Sequence, residues 1–389
     1  MKVLSNIKGD KVIWAVVLIL SIFSILAVYS STGTLAYKYQ GGNTEYYLLK
    51  HFIILVFGLT LMYVAHLVKY TYYSRISQIA IFLAVPLLLF TLLTGTNLNE
   101  ASRWLTLPII NVTFQSSDLA KLALIMYVAR LLSKKQEQIK DFQSAFVPII
   151  LPILIVCGLI LPANFSTAAV LFTTCLVLMF VGRINLKYIG AMILIGVVLV
   201  GVFVAILMNS SNQGRLGTWK NRIENFRSGD SEGNYQVEQA KIAIATGGFF
   251  GKLPGNSTQR NFIPHPYSDF IFAIIIEEYG ILGGFFMILL YCILLFRAVR
   301  ILTRSPGTFG AFLAIGCSFS LVFQAMINMG VAVNVFPVTG QPLPLVSMGG
   351  TSIWFTSIAL GIVLSVSKET ETPDVPEVIN ASKPAKNGE

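Results

Sequence analysis

The segment NFIPHPYSDFIFAIIIEEYGILGG, residues Asn261–Gly284, contains a candidate functional acid and the start of a long apolar helix. Its two prolines break a helix and Ser268 is a good N-cap, so the sequence predicts a helix whose first turn contains Asp269. First-turn N–H groups favour negative charge, and Asp269 would lie at the water–lipid boundary. Glu277 and Glu278 would lie about two turns deeper, where a carboxylate is either functional or paired with a neighbouring helix.

The composition is typical of an integral membrane protein. Of 389 residues, 55% are hydrophobic and 12% are charged, and the mean hydropathy is +0.72. A soluble protein needs a more charged surface than this. The net charge of +10 would suit nucleic acid, but membrane proteins concentrate Lys and Arg in cytoplasmic loops. We therefore interpret the excess as topology and predict no nucleic-acid partner.

Ten apolar runs are long enough to cross a bilayer, which takes roughly 17–25 residues of helix. They lie near Val12–Tyr29, Tyr47–Leu67, Tyr73–Leu93, Ser117–Leu132, Phe146–Leu161, Phe165–Val181, Tyr188–Met208, Phe270–Leu295, Phe309–Val333 and Thr351–Val366. The predicted fold is an all-α integral membrane protein with about ten transmembrane helices, in one membrane domain of residues 1–368. A polar tail, residues 369–389, is predicted to be disordered and cytoplasmic.

The short loops divide into a basic set and a set poor in cations. The basic set contains Lys2, Lys8, Lys11, Lys69, Arg75, Arg130, Lys134, Lys135, Lys140, Arg183, Lys187, Arg297, Arg300, Arg304 and Lys368. All of these fall on one side of the predicted bundle, which the positive-inside rule makes cytoplasmic. The sequence thus predicts that both termini are cytoplasmic.

A long loop between spans seven and eight, residues 209–268, lies on the opposite, external side. It carries charges of both signs, Tyr235–Ile244 has helical spacing, and the glycines that follow favour turns. We expect this loop to be partly ordered.

Two residue pairs and one loop are further candidates for a site. Asp118 and Lys121 are three residues apart on one predicted helix face, where they would neutralise each other; a structural salt bridge is favoured over direct chemistry. Arg103 beside Trp104 would suit a phosphate or a sugar, although anchoring at the membrane interface explains the pair equally well. Phe336–Ser352 is rich in Pro and Gly, as in an irregular segment that lines a cavity or in a rigid loop without ligands.

Three motifs together resemble one family. They are FQSSDLAKL at Phe114–Leu122, GGFFGKLPGNSTQRNFIPHPYSDFIFAIIIEEYG at Gly247–Gly280, and PVTGQPLPLVSMGGTS at Pro337–Ser352. In this order they are similar to the SEDS family (shape, elongation, division and sporulation), whose members include FtsW and RodA. Within it, Gly255–Gln259 and the last of the three motifs, Pro337–Ser352, which we call the final loop, resemble the FtsW branch more closely.

The resemblance implies a bacterial inner-membrane peptidoglycan glycosyltransferase that polymerises lipid II during division at the septum. Implied partners are lipid II, a class B penicillin-binding protein, other division proteins and membrane lipid. The essential acid of the family would be Asp269, and its intramembrane pair would be Asp118 and Lys121. Two departures stand out: Asp118 is a shorter acid than the usual Glu and lacks the proline that usually precedes it by two positions, and Asn164 stands where the family has an acid.

The implied reaction needs a base for the attacking hydroxyl and positive charge for the departing pyrophosphate. Asp269 is the predicted base, and it could also hold a divalent cation, Mg²⁺ or Mn²⁺. The candidates for binding the pyrophosphate or sugar are Arg103, Trp104, Lys121, Arg215, Arg222, Lys241 and Arg260. Glycines 280, 283 and 284 offer close packing to the single helix of a transpeptidase partner.

Two other functions fit a polytopic protein with buried charges. A flippase for lipid II would use intramembrane charges to line a path, but such carriers usually keep their site near the midplane, whereas the acid and the cations of the long loop here are external. A non-catalytic scaffold for the division machinery is the third alternative, and the unbroken motif around Asp269 argues against it.

Overall fold

The computed structural model describes residues 8–94, 96–98, 101–107, 112–209, 217, 220–222, 224, 226 and 235–370. Within these ranges the longer helices are α1 (Lys11–Ser31), α2 (Gly33–Gln40), α3 (Thr44–Leu67), α4 (Tyr73–Thr94), α5 (Ser116–Lys134), α6 (Val147–Ile160), α7 (Phe165–Val181), α8 (Leu186–Asn209), α9 (Tyr235–Gly247), α10 (Ile271–Arg304), α11 (Thr308–Ala332) and α12 (Thr351–Thr370). Each of the ten predicted spans coincides with one of them, so the all-α membrane fold is confirmed.

Seven helices in the described part are long and apolar enough to cross a membrane: Lys11–Ser31, Thr44–Leu67, Tyr70–Leu93, Phe142–Ile160, Ile271–Arg304, Thr308–Ala332 and Thr351–Thr370. Phe165–Val181 and the apolar stretch Leu186–Val202 are shorter apolar helices. The most buried of the seven are α11 and α12, and α11 packs against α5, α7, α10 and α12. A Cβ on Gly316 of α11 would lie 2.9 Å from Ile125 and 3.0 Å from Leu178, so a small residue lets three helices meet at the centre.

One end of the bundle gathers the ends that the sequence predicts to be cytoplasmic. Asp10 caps α1 by accepting from the backbone N–H groups of Val12 and Ile13, and it pairs with Arg297 of α10 at 2.5 Å. Its own N–H donates to Ser367 of α12 at 3.0 Å. These contacts agree with the predicted sidedness, and the loops that surround Asp269 lie at the other end.

Two introduced cysteines test this sidedness in a background where Cys292, the one exposed cysteine of the described residues, is serine. Asn256 in the long loop and Gln138 between α5 and α6 are both exposed. We expect Asn256→Cys to react with a membrane-impermeant thiol reagent added to intact cells, and Gln138→Cys to react only after permeabilisation. The reverse pattern would invert the whole architecture.

A three-stranded antiparallel sheet, which the sequence did not predict, joins α4 to α5. Its strands are β1 (Thr96–Leu98), β2 (Ala101–Leu107) and β3 (Val112–Gln115), in that order. Trp104 is paired with Gln115, and Ser116 then starts α5 directly. The sheet thus lies at the external entrance to α5.

The predicted start and course of α10 are wrong in two respects. Residues before it form turns, the helix begins at Ile271, and its N-cap is Phe270, which makes no side-chain cap. Ser268 is therefore not the cap, and Asp269 precedes the first turn. The helix is also broken at Gly280, whose φ of 71° and ψ of −175° are not helical. Ile271–Tyr279 is a separate short helix, and the longer part of α10 follows the break.

The break also changes the position of the two glutamates. Glu277 and Glu278 contact the long loop and the external end of α1, so they do not lie two turns deeper in the membrane. At the C-terminus, α12 continues to Thr370; the remainder of the predicted disordered tail lies outside the described residues.

Candidate active site at the external end of the bundle

The turn that carries Asp269 is fixed by its backbone. Three successive carbonyls accept hydrogen bonds: Tyr267 O from Met348 N (2.9 Å), Ser268 O from Ser347 Oγ (2.5 Å) and Asp269 O from Asn328 Nδ2 (2.9 Å). These contacts use main-chain oxygens. They therefore fix the position of Asp269 and leave its carboxylate available for other interactions. Among the residues that the structure describes, no other side chain forms a hydrogen bond with that carboxylate.

The surroundings of the Asp269 carboxylate shift its acidity. Burial by neighbouring groups raises the pKa of Asp269 above its ordinary value, and its own backbone N–H, His265 and Arg222 oppose that rise. Burial also lowers the pKa of Arg222, while the charge of Asp269 opposes the drop. The Arg222 guanidinium is anchored by donation to Val338 O at 3.2 Å. The site therefore pairs a carboxylate of increased basicity with a nearby fixed cation.

A cavity of about 270 Å³ lies next to this turn. Its lining comes from the end of β3, α5, the N-cap of α7, α11, Ser268 and the final loop, including Gln115, Asp118, Lys121, Asn164, Gln324 and Gln341. Elements that are far apart in sequence meet here, and four of the eight polar residues in the lining are amides. Such a lining suits a ligand rich in hydroxyl and amide groups.

The Asp118–Lys121 pair forms one wall of the cavity. Lys121 Nζ lies 2.9 Å from Asp118 Oδ1 and donates to Gln324 Oε1 at 3.2 Å. Gln324 in turn donates to Pro342 O at 3.0 Å, which ties the ion pair to the final loop. The second carboxylate oxygen of Asp118 is buried and has no hydrogen-bond partner among the described residues.

Asn164, which replaces an acid of the resembled family, caps α7. Its Oδ1 accepts from Thr167 N at 3.3 Å and from Ser166 Oγ at 2.7 Å. Gln341 of the final loop donates to Thr167 Oγ1 at 2.7 Å and so holds the loop against the same cap. Asn and Asp cap a helix about equally well. This chain therefore keeps the cap with one negative charge fewer beside the cavity.

The other predicted cations have different surroundings. Arg260 donates to both Ser30 O and Ser30 Oγ at 3.1 Å and faces Glu278, so its guanidinium holds the loop to α1. Lys241 is exposed on α9 and does not line the cavity. Arg103 and Trp104 lie in β2, beside the strand that leads into α5. Arg215 lies outside the described residues. Arg222 thus has the position best suited to a charged substrate group near Asp269.

Glu277 is a clamp for the long loop. Its carboxylate accepts from Lys252 Nζ at 2.7 Å, Thr258 Oγ1 at 2.8 Å and Thr258 N at 3.1 Å, and also from Ser257 Oγ. The neighbouring Glu278 accepts from Ser30 Oγ. Both oxygens of Glu277 are engaged, whereas Glu278 uses one oxygen and its Oε2 has no partner among the described residues. The contacts of both acids hold the external end together, which supports the structural interpretation of this pair over a catalytic one.

Sequence reasoning missed several site residues. Gln324 and Asn328 stand four residues apart in the apolar helix α11, so one helix face presents two amides toward the final loop. Polar side chains at this depth in a membrane helix were the available signal. Ser24 and His51 are also polar residues in apolar helices. Ser24 Oγ donates to Val346 O at 2.9 Å and lies 2.7 Å from His51 Nε2. These contacts anchor the final loop to α1 and α3.

The donor set at Asp269 suits a divalent cation only when the substrate supplies further ligands. The described residues contain no group of three or more His, Cys, Asp or Glu side chains that could hold a metal ion. Mg²⁺, however, binds through one or two carboxylates together with substrate phosphates. Asp269 offers one such carboxylate, so the site fits an ion that arrives with a pyrophosphate.

Known proteins resemble this chain along nearly its whole length. Stage V sporulation protein E of Bacillus subtilis is 30% identical, over 92% of this chain and 97% of its own. The probable peptidoglycan glycosyltransferase FtsW of Trichlorobacter lovleyi is 31% identical, over 92% of this chain and 93% of its own. The FtsW-like resemblance that the sequence motifs predicted is confirmed.

Solved structures share the fold. A chain from a peptidoglycan synthase complex that coordinates polymerisation and crosslinking aligns with a TM-score of 0.72 at 24% identity, over 94% of this chain and 99% of its own. The rod shape determining protein RodA of Thermus thermophilus aligns with a TM-score of 0.67 at 23% identity, over 95% of this chain and all of its own. The sequence pattern of the cell cycle proteins FtsW, RodA and SpoVE matches residues 10–372, and the chain belongs to that family.

Proposed function

We propose that this chain is a peptidoglycan glycosyltransferase that polymerises lipid II into glycan strands during cell division. The observation that carries the proposal is the geometry of Asp269. The turn Tyr267–Asp269 is held by three backbone contacts and adjoins a polar cavity. The Asp269 carboxylate lies near Arg222 and forms no hydrogen bond with another side chain among the described residues. The names of the FtsW relatives support the same activity.

The proposed reaction joins two lipid-linked disaccharides. The 4-hydroxyl oxygen of the acceptor forms a bond to the anomeric carbon of the donor, and the bond from that carbon to the lipid pyrophosphate breaks. The Asp269 carboxylate accepts the hydroxyl proton as attack proceeds, and the raised pKa makes it a better base. Arg222 stabilises the charge that develops on the departing undecaprenyl pyrophosphate. The sugars lie at the external end while their lipid tails stay in the bilayer.

A divalent cation would be held by Asp269 and the pyrophosphate oxygens of the substrate. Bound there, Mg²⁺ or Mn²⁺ would supply positive charge to the leaving group. Arg222 would share that task and would orient the pyrophosphate through its planar donor fork.

We further propose the bacterial inner membrane as the location, with both termini cytoplasmic, and the septum as the site of action. The protein of similar fold in a peptidoglycan synthase complex supports a class B penicillin-binding protein as partner. Such a pairing would place glycan synthesis next to crosslinking. Other division proteins would recruit the pair.

The test is polymerisation of purified lipid II in detergent by the purified full-length chain, alone and with its transpeptidase partner. Glycan strands separated by gel electrophoresis are the expected product. Detergent removes the two leaflets, so flipping cannot account for them. If no strand forms under either condition and the chain instead moves lipid II between the leaflets of proteoliposomes, the flippase is the correct function.

A further inference from the structure

The final loop contains a residue whose backbone is strained. Leu345 has a φ of 64°, in the left-handed region where the Cβ of a leucine crowds the backbone. A conformation of this kind persists only where the surrounding structure holds it in place, and such residues cluster at active sites. Contacts with the rest of the protein must therefore support Leu345, whose side chain is buried.

Two hydroxyl groups hold the residues on either side of Leu345, and we call these contacts the two tethers. The Tyr291 hydroxyl of α10 donates to Pro344 O at 2.6 Å. On the other side, Ser24 Oγ of α1 donates to Val346 O at 2.9 Å. All four residues are buried, so the loss of either hydroxyl would leave a buried carbonyl oxygen without that donor, which costs free energy.

His51 of α3 completes the second tether. Its Nε2 lies 2.7 Å from Ser24 Oγ. Because the one hydroxyl proton of Ser24 is directed at Val346 O, His51 Nε2 must carry the proton of this pair and donate it to Ser24. The other ring nitrogen, Nδ1, is buried and has no partner among the residues that the structure describes. The contact with Ser24 is therefore the one that orients the His51 ring and the hydroxyl together.

The residues that follow Leu345 hold the turn Tyr267–Asp269. Ser347 Oγ and Met348 N donate to two successive carbonyl oxygens of that turn, at 2.5 Å and 2.9 Å. Both donors lie directly beyond the strained residue. A change in the φ of Leu345 toward an ordinary value would swing Ser347 and Met348 away from the turn, and two of the three contacts that fix Asp269 would be lost.

We propose that Tyr291, Ser24 and His51 are positioning residues for the Asp269 carboxylate. This inference rests on the proposed function, and it assigns to α1, α3 and α10 the task of holding Leu345 in its strained conformation. With both tethers in place, the final loop keeps its two donors against the turn. Without one of them, the loop relaxes and the base is misplaced with respect to the acceptor hydroxyl.

The experiment measures the polymerisation of purified lipid II in detergent by full-length Tyr291→Phe and Ser24→Ala. Each change removes one hydroxyl group and adds no bulk. We expect kcat to fall on the order of 10–10²-fold, the scale of misplacing a reacting group by about 1 Å. KM should change less, because α11 holds the cavity-lining part of the loop separately, through the carbonyl oxygens of Gln341 and Pro342.

Ser365→Ala is the matched control. Ser365 is also buried, and its hydroxyl donates to Val68 O, a backbone carbonyl at the opposite end of the bundle. This variant should lose thermal stability as the tether variants do, and its kcat should equal that of the wild type. Losses of kcat as large in Ser365→Ala as in the tether variants would overturn the proposal.

Hydrogen–deuterium exchange of the final loop tests the tethers without any need for activity. The backbone N–H groups of Val346 and Ser347 donate to Leu343 O, and that of Met348 donates to the Asp269 turn. These amides should exchange several-fold faster in Tyr291→Phe and Ser24→Ala than in the wild type or in Ser365→Ala. Unchanged exchange in both tether variants would exclude the tethers, and faster exchange with unchanged kcat would exclude their positioning role.

Two variants of His51 supply a rescue. His51→Leu removes the donor to Ser24, whereas His51→Gln keeps a side-chain N–H. We expect kcat to fall in His51→Leu and to return toward the wild-type value in His51→Gln; equal losses in the two would overturn the role of His51. A wild-type chain that forms no glycan strands would refute the proposed function instead, and the exchange measurement would then decide the tethers by itself.

Discussion

Asp269→Asn should lower the rate of glycan synthesis by a factor on the order of 10²–10⁴, because Asn keeps the shape of Asp but cannot accept a proton. The three backbone contacts that hold residues 267–269 do not involve the side chain, so the turn should persist in the variant. The measurement is the initial rate of polymerisation from purified lipid II at saturating substrate. Binding of lipid II should change far less than the rate.

Thermal stability supplies the control for this variant. Because burial raises the pKa of Asp269, the folded state binds its proton more tightly than the unfolded state does. The associated stability is present below the unfolded pKa and is lost as pH rises through the folded pKa. At neutral pH the ionised carboxylate therefore costs stability, and Asp269→Asn should unfold at the same temperature as the wild type or higher. A loss of activity that follows a loss of folding would contradict the catalytic role.

The pH dependence of the wild type follows from the same shift. A general base works only when ionised, so the rate should fall as pH decreases through the raised pKa of Asp269. Asp269→Asn should lack this acidic limb in its residual activity. Glu278→Gln is a matched change, since Glu278 accepts from Ser30 and holds the external end together. It should lower stability while keeping the acidic limb.

The membrane spans were predictable because a bilayer imposes a simple constraint on the sequence. A helix in a bilayer needs an uninterrupted apolar run, and each of the ten runs became a helix. The sheet at Thr96–Gln115 was missed because its strands are short and contain polar and apolar residues in equal number, and because they follow a span whose helix pattern dominates. Strand pairing depends on partners from across the loop, which single-segment patterns do not contain.

The place of Asp269 in the fold was predictable in part, because a local sequence pattern surrounds it. Asp269 follows a run of helix breakers, so its position near the start of a helix at the bundle end was readable. The sequence placed it in the first helical turn with Ser268 as the cap, whereas the helix begins at Ile271. The contacts from Asn328, Ser347 and Met348 were not readable, because each comes from an element at least 59 residues away. Long-range pairings of this kind are set by packing.

The proximity of Arg222 to Asp269 likewise could not be predicted from the sequence. The sequence offered several external cations of equal merit, and only the fold separates them. Arg260 is bound to Ser30, whereas Arg222 is anchored beside Asp269 by Val338 O. Charge alone therefore identifies candidates, and the place where each guanidinium is anchored decides which of them lies near Asp269.

Gly280→Ala should be severely destabilising, by several kcal/mol. Its φ of 71° with ψ of −175° belongs to a region that only glycine adopts readily, and occupying it costs a residue with a Cβ about 1–3 kcal/mol. A Cβ would also lie 2.2 Å from Phe249 O and 2.6 Å from Gly251 N, which is too close for any relaxed contact. The neighbouring turn would have to move away.

The backbone segments around Gly280 and Gly251 approach each other closely, and each has glycine at the contact. Neither segment can therefore move aside easily to accept a Cβ. Gly251 would place a Cβ 2.2 Å from Glu278 O, and Gly247 would place one 2.3 Å from Ile276 O. The turn in turn supplies hydrogen bonds where the helix is broken: Ile281 N donates to Gly248 O at 3.0 Å, and Lys252 N donates to Glu277 O at 2.9 Å. Gly284 is likewise buried against Ile276 and Phe272. Gly280 and Gly284 therefore pack within the protein itself and are not available for a partner helix.

The experiment compares Gly280→Ala with Gly255→Ala, measured by thermal unfolding in detergent and by the reactivity of a cysteine placed at Ser257. Gly255 also has a positive φ, 83°, but its Cβ would meet nothing within 4 Å, so that variant carries the backbone strain without the clash. Gly280→Ala should unfold at a much lower temperature and expose Ser257→Cys, which is otherwise 3% exposed beneath Glu277. Because Ile271–Tyr279 begins two residues after Asp269, polymerisation should fall as well. Equal stability of the two variants would mean that the broken helix is not held by the turn, and that the position of Asp269 depends on the final loop alone.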